Sequence, residues 1–113
     1  MVNMDEVLET LEKQKDKYTH EKVAKFFKTW TKKLQYHFTD IDEYYVIELI
    51  KGIPQPIVKE KLDDPDIMYS MSTDTFLKLN RGEISGFKAY QQKKLKIKAT
   101  MPETLKLQKL DKL

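Results

Sequence analysis

The sequence predicts an α+β fold, in a single domain over residues 1–113. Three observations carry that reading. Apolar residues recur at helical spacing in two stretches near the start; from Leu34 the period shortens to two; and the helical period returns only after about four strand-like segments. The elements are therefore grouped as two helices, about four strands, two helices, a strand and a helix. A doubly wound parallel sheet would alternate them instead.

In the first stretch, Asn3 and Glu6 have the spacing of a capping box, and Val7, Leu8 and Leu11 fall on one face before the charged run "EKQKDK". A second helix is expected from Thr19 as N-cap, carrying Val23, Phe26, Phe27 and Trp30 at i, i+3, i+4 and i+7. In "KKLQYHFTD" the residues Leu34, Tyr36 and Phe38 alternate with Lys33, Gln35, His37 and Thr39, the pattern of a strand covered on one face. After the turn "TDIDE", the stretch "YYVIELIKG" is apolar on both faces apart from Glu48 and belongs inside a sheet. The prolines of "GIPQP" interrupt regular structure, "IVKEKL" reads as a weaker peripheral strand bounded by "DDPD", and "IMYSMS" alternates again.

Two short helices follow. Ser72 or Thr73 caps "DTFLKLNR" with Gly82 as its stop, and Ser85 caps "GFKAYQQK". In "KLKIKA", Leu95, Ile97 and Ala99 alternate with Lys94, Lys96 and Lys98. A helix would scatter Leu95 and Ile97 to opposite sides, whereas a strand puts them on one face and the lysines on the other. This is expected to be an edge or near-edge strand. Pro102 then opens a last helix that carries Leu105, Leu107, Leu110 and Leu113.

Composition narrows the function. The chain has no cysteine, so disulfides, thiolate metal sites and a cysteine nucleophile are excluded. The net charge of +3 is too small to call for a nucleic-acid partner, although residues 86–113 hold eight lysines against two acids. No apolar run approaches the roughly 20 residues of a membrane span, and "MVNMDEVLET" lacks the basic-then-apolar signature of a secretory signal. A soluble, cytoplasmic protein is the expectation. His20 and His37 have no metal-ligand spacing, the serines sit in no G-x-S-x-G setting, and the three glycines form no phosphate loop. Neither an enzyme, a cofactor nor a metal is expected. Glu48 reads as an outward or lysine-paired acid rather than a buried base.

The stretch "MSTDTFLKLNRGEISGFKAYQQKKLKIKATMPETLKLQKL" resembles the sterol-carrier-protein type-2, or non-specific lipid-transfer, family. The resemblance rests on Phe76 after its Ser/Thr/Asp cap, Gly82, the pair Ala89 and Tyr90, the strand Lys94 to Ile97, Met101, and Lys106, Leu107 and Leu110 in "KLxxL". In the N-terminal half only the order and length of elements agree. Lys93 and Ala99 stand where the family commonly has glycine, which bears on pocket geometry rather than on fold. The closing "DKL" has Asp111 where a peroxisomal S-K-L signal has a small residue, so that address is not carried over.

The resemblance implies a five-stranded mixed sheet with helices on one side and an apolar tunnel between the layers. It implies a carrier of sterols, fatty acids, acyl-CoA esters or phospholipids, not a catalyst. The expected lining is Phe26, Trp30, Tyr45, Ile47, Met68, Met101 and Leu105, with motion of the last helix gating the tunnel. Methionine suits such a lining because it adapts to irregular apolar shapes. The C-terminal lysines have several readings: a solvated strand face, transient contact with an anionic membrane or headgroup, or a meeting with a fatty-acid carboxylate or the phosphates of CoA. Nucleic acid is not expected, since no aromatic lies between Lys93 and Lys98 for bases to stack on. A monomer or weak homodimer is expected. The alternative function is a protein-interaction or dimerisation module that uses the leucine-rich last helix, with the lipid cavity filled.

Overall fold

The fold is described from a computed structural model covering residues 3–113, apart from the Lys112 side chain; Met1 and Val2 of the acidic N-terminal stretch lie outside the described residues. Helix α1 spans Met4–Asp16. The Asn3 side chain caps it by accepting from the Glu6 amide at 3.2 Å, and Val7 and Leu11 are its buried face. A 3₁₀ turn, Lys17–Thr19, continues it and buries Tyr18.

The second helix is much shorter than its periodicity predicts. α2 is one turn, Ala24–Phe27. The Thr19 hydroxyl bonds back to the Asp16 carbonyl instead of capping forward, His20 is extended, and Val23 supplies no side-chain cap. The buried positions nevertheless hold: Val23, Phe27 and Trp30 are all in the core.

The sheet contains β1 (Lys32–Phe38), β2 (Glu43–Ile50), β3 (Ile53–Pro54), β4 (Val58–Lys59), β5 (Ile67–Met71) and β6 (Leu95–Lys98). Its order is β3-β2-β1-β5-β6, and β4 also pairs directly with β2, at Tyr45 and Val46. β1 and β5 are parallel and the other pairings antiparallel, so the sheet is mixed. Four main strands and two fragments account for the difference from five. The "GIPQP" stretch still pairs briefly, because Pro54 sits at an edge where its missing N–H costs no ladder bond.

Register sorts the side chains. Leu34, Tyr36 and Phe38 share the inner face with Ile47, Tyr45, Ile67, Tyr69, Met71, Leu95 and Ile97. Gln35, His37, Glu48, Met68, Ser70, Lys96 and Lys98 lie on the outer face, Glu48 as the cross-strand partner of Lys33. Gln35 departs from the exposed position its alternation predicts. Residues 60–66 cross the outer face and bury it, the Leu62 amide donating to its Oε1 at 2.6 Å.

Helices α3 (Thr73–Asn80) and α4 (Gly86–Gln91) are capped by the Ser72 and Ser85 side chains, and α5 (Met101–Leu107) by Thr100. A 3₁₀ turn over Gln108–Lys112 continues α5 and buries Leu110. Two helix ends close in the same way. Gly82 has φ +76°, and its neighbour's amide bonds back from Glu83 to Lys78; Lys93 has φ +60°, with Lys94 bonding back to Ala89 at 2.9 Å. Both are left-handed positions of a Schellman ending.

Candidate functional site

The inner layer is built from aromatic rings. Tyr18 meets Phe27 edge-on at 5.0 Å, Phe27 meets Trp30 at 5.1 Å, Tyr36 stacks on Tyr69 at 4.9 Å, and Phe38 leans on Phe76 at 5.1 Å. The Tyr18 hydroxyl is buried there, with no hydrogen-bond partner among the described residues. Burial pushes the Tyr18, Tyr36 and Tyr69 phenols well up, with each other's proximity adding to the effect at Tyr18 and Tyr69. These phenols are neutral at ordinary pH.

Trp30 is fixed from the sheet side. The β2–β3 turn bonds to it through the Gly52 amide, which donates to the Trp30 carbonyl at 2.8 Å, while the Lys51 amide donates to the Thr31 hydroxyl. A Cβ on Gly52 would stand 2.6 Å from the Phe27 carbonyl oxygen, and its φ of +81° suits glycine. Only glycine lets the turn approach α2 so closely.

Across from this, α5 is held by side chains. Glu103 closes a capping box with Thr100 and accepts from Lys32 at 2.6 Å. Burial alone would raise the Glu103 carboxyl; the Lys32 and Thr100 hydrogen bonds outweigh it and bring it below the usual carboxylate range. Lys32 and Lys106 lie over the Trp30 indole at 5.4 and 5.7 Å, and Lys25 and Lys109 over the Phe26 ring at 5.3 and 5.1 Å. Leu107, at the end of α5, and Leu110, in the turn that follows, are buried in the core. The result is a seam with apolar depth and a cationic rim.

The seven expected lining residues divide accordingly. Trp30, Tyr45 and Ile47 are together in the buried inner layer, with the Tyr45 hydroxyl donating to Glu43; burial and Glu43 push that phenol up to about 12. Phe26 is half-buried at the seam, while Met101 and Leu105 are exposed on α5. Met68 stands apart: its register puts it on the outer face, where the Gln35 amide contacts its sulfur, so the sheet separates it from any space under the helices. Sequence reasoning grouped it by residue type, and strand parity separates it. The Lys32–Glu103 pair at the seam was missed, although the T-x-x-E spacing from Thr100 is visible in the sequence.

Two open clefts, of about 390 and 200 Å³, lie on the outer face. The larger is lined by His37, Thr39, Ser70, Met71, Lys93, Lys94 and Lys96. The second lies beside Gln35, Tyr44, Met68 and the Lys61–Pro65 crossing. Among the described residues, no group of His, Cys, Asp and Glu has the arrangement of a metal site, and no helix is long and apolar enough to cross a membrane.

Comparison with known proteins settles the family. The model of the SCP-2 sterol transfer family matches residues 8–112. The chain belongs to the SCP-2 sterol transfer family. Among SCP-2 structures, SCP2-L2 from Aedes aegypti superposes with a TM-score of 0.68 at 14% identity, over 95% of this chain and 98% of that one. Its palmitated form in solution gives 0.57 at 13%, over 80% and 92%. At such identities these likenesses show the fold alone. Hydroxysteroid dehydrogenase-like protein 2 from Bos taurus is 43% identical over 51 residues, which are 45% of this chain and 12% of that protein. The stereoselective inverting sec-alkylsulfatase Pisa1 from Pseudomonas sp. matches with a TM-score of 0.58 at 17% identity, over 73% of this chain and 12% of that one. The match thus spans about an eighth of the length of these longer relatives.

Proposed function

We propose that this domain binds and carries one lipid, a fatty acid or acyl-CoA ester being the best fit, with its chain buried between helices and sheet. The observation that carries the reading is the family match, which spans residues 8–112. The palmitated form of the Aedes aegypti relative is consistent with an acyl ligand in this fold. Transfer of a chain from water would contribute about 0.8 kcal/mol per methylene.

The α2–α5 seam is the proposed mouth. Trp30, Tyr45 and Ile47 would meet the chain, Phe26, Met101 and Leu105 would flank its passage, and Lys106 and Lys109 would receive an anionic head. An outward swing of α5 and the turn after it would give up the Lys32–Glu103 pair, the Lys106 and Lys109 ring contacts and the burial of Leu107 and Leu110. Admission of a ligand would then need no change in the sheet.

Trp30 is the chain's single tryptophan, which makes it a direct reporter. Titration with a fluorescent fatty acid is expected to give saturable, one-to-one energy transfer from Trp30. Met101→Arg, at an exposed position, should leave folding intact and weaken uptake several-fold. Absence of saturable transfer in the wild-type protein would contradict the proposal.

A further inference from the structure

The larger cleft lies on the outer face, with the sheet between it and the α2–α5 seam, and its lining is of one sign. Lys93, Lys94 and Lys96 converge on it beside the hydroxyl-bearing Thr39 and Ser70 and the imidazole of His37. Among the described residues, none of these three lysines has a carboxylate within 4 Å, whereas Lys98 approaches Asp64 at 4.0 Å and Lys59 reaches Glu43 at 3.5 Å. The His37 Nε2 of the lining is paired with Asp42 at 3.0 Å. A concave site lined by like charges focuses its field and draws a counter-ion.

A second observation is independent of the charge. Lys93 holds a left-handed backbone, φ +60°, at the helix ending where glycine fits without cost. Its neighbour in kind, the ending of α3, does have glycine. Strain kept at a residue whose side chain lines a cleft is the pattern of a functional site.

The chemistry of the lining narrows the ligand. Three ammonium groups exceed what a single carboxylate or phosphodiester neutralises, but they match a phosphate monoester, which carries about −1.5 to −2 at neutral pH. Hydroxyl and ammonium donors together suit its several acceptor oxygens. The adjoining aromatic offers no stacking platform, since one face of Tyr44 is covered by His37 at 4.1 Å and Lys61 lies over the ring at 5.2 Å.

We propose that the cleft formed by His37, Thr39, Ser70, Lys93, Lys94 and Lys96 is a second ligand site, which binds a phosphate monoester group. The site is independent of the lipid reading above, because no residue of the α2–α5 seam contributes to it. The phosphate can come from a soluble ester or from a lipid headgroup at a membrane surface.

The test is a titration of ¹⁵N-labelled protein with inorganic phosphate, against chloride at matched ionic strength. Saturable shifts are expected at the amides of residues 37, 39, 70 and 93–96. Lys94→Gln/Lys96→Gln should weaken binding at least about tenfold, each lysine losing a charge-assisted hydrogen bond. Lys93→Gly should weaken binding while raising the unfolding midpoint, which separates a lost contact from a lost fold. Sedimentation with phosphatidylcholine vesicles, with and without phosphatidic acid, distinguishes the sources. Retention by phosphatidic acid vesicles, competed by inorganic phosphate and lost in the double variant, assigns the headgroup; phosphate saturation without retention assigns a soluble ester. Chloride reproducing the shifts, or variants binding as the wild type does, overturns the proposal.

Discussion

Lys93 shows how much one residue can disclose. It stands at a helix ending where glycine is the usual residue, and the structure shows what that costs: a left-handed φ of +60° at the end of α4. Relieving it with Lys93→Gly is expected to stabilise the protein by about 1 kcal/mol, a rise of a few degrees in the thermal unfolding midpoint. A midpoint unchanged or lowered would mean that the side chain stabilises this ending by more than the strain costs. Other residues were legible only in part. Gln35 alternates as an exposed strand residue and is buried because a segment 25 residues further on crosses over it. Nothing local to β1 records that crossing. Met68 failed for the related reason that residue type suggests a lining but only register gives the face.

At the scale of elements, caps and stops were the most readable features. Asn3, Ser72 and Ser85 begin their helices, Gly82 ends one, and Pro102 lies in the first turn of α5, each acting through chemistry confined to a few neighbouring residues. The helix expected from Thr19 fared worse. Its apolar spacing reflects burial, which Val23, Phe27 and Trp30 do achieve, but spacing does not require continuous helix when the cap is spent on the preceding turn. The attachment of α5 can be tested through Glu103. Its folded-state carboxyl lies below the ordinary value, so the stability it contributes is present above the unfolded glutamate pKa and is lost as pH falls through the folded one. Glu103→Gln should therefore cost about 1–2 kcal/mol at pH 7, a value limited by the solvent access of Lys32. The gap between wild type and variant in urea unfolding should close toward pH 3. A gap that is constant with pH would assign the effect to packing, not charge.

For the molecule as a whole, the class was plain and the topology was not. Alternation at Leu34, Tyr36 and Phe38, and again at Leu95 and Ile97, shows which faces are buried, and the grouping of elements gives α+β. The parallel pairing of β1 with β5 is a contact between segments more than 30 residues apart, which no local pattern encodes. The candidate site follows the same division. Trp30, Tyr45 and Ile47 were recognisable as apolar members of the inner layer, whereas the seam that brings Lys106 and Lys109 onto Trp30 and Phe26 exists only in three dimensions. One sheet thus separates two environments, an aromatic layer under the helices and a lysine-lined cleft on the outside.

The central claim is that the aromatic layer opens to hold a lipid. Native mass spectrometry of the purified protein, before and after incubation with lipid vesicles, tests it most directly. The account predicts an added mass of one lipid per chain, removed by collisional activation and reduced in Trp30→Ala. A bare mass in both samples, with the fold intact, would contradict it.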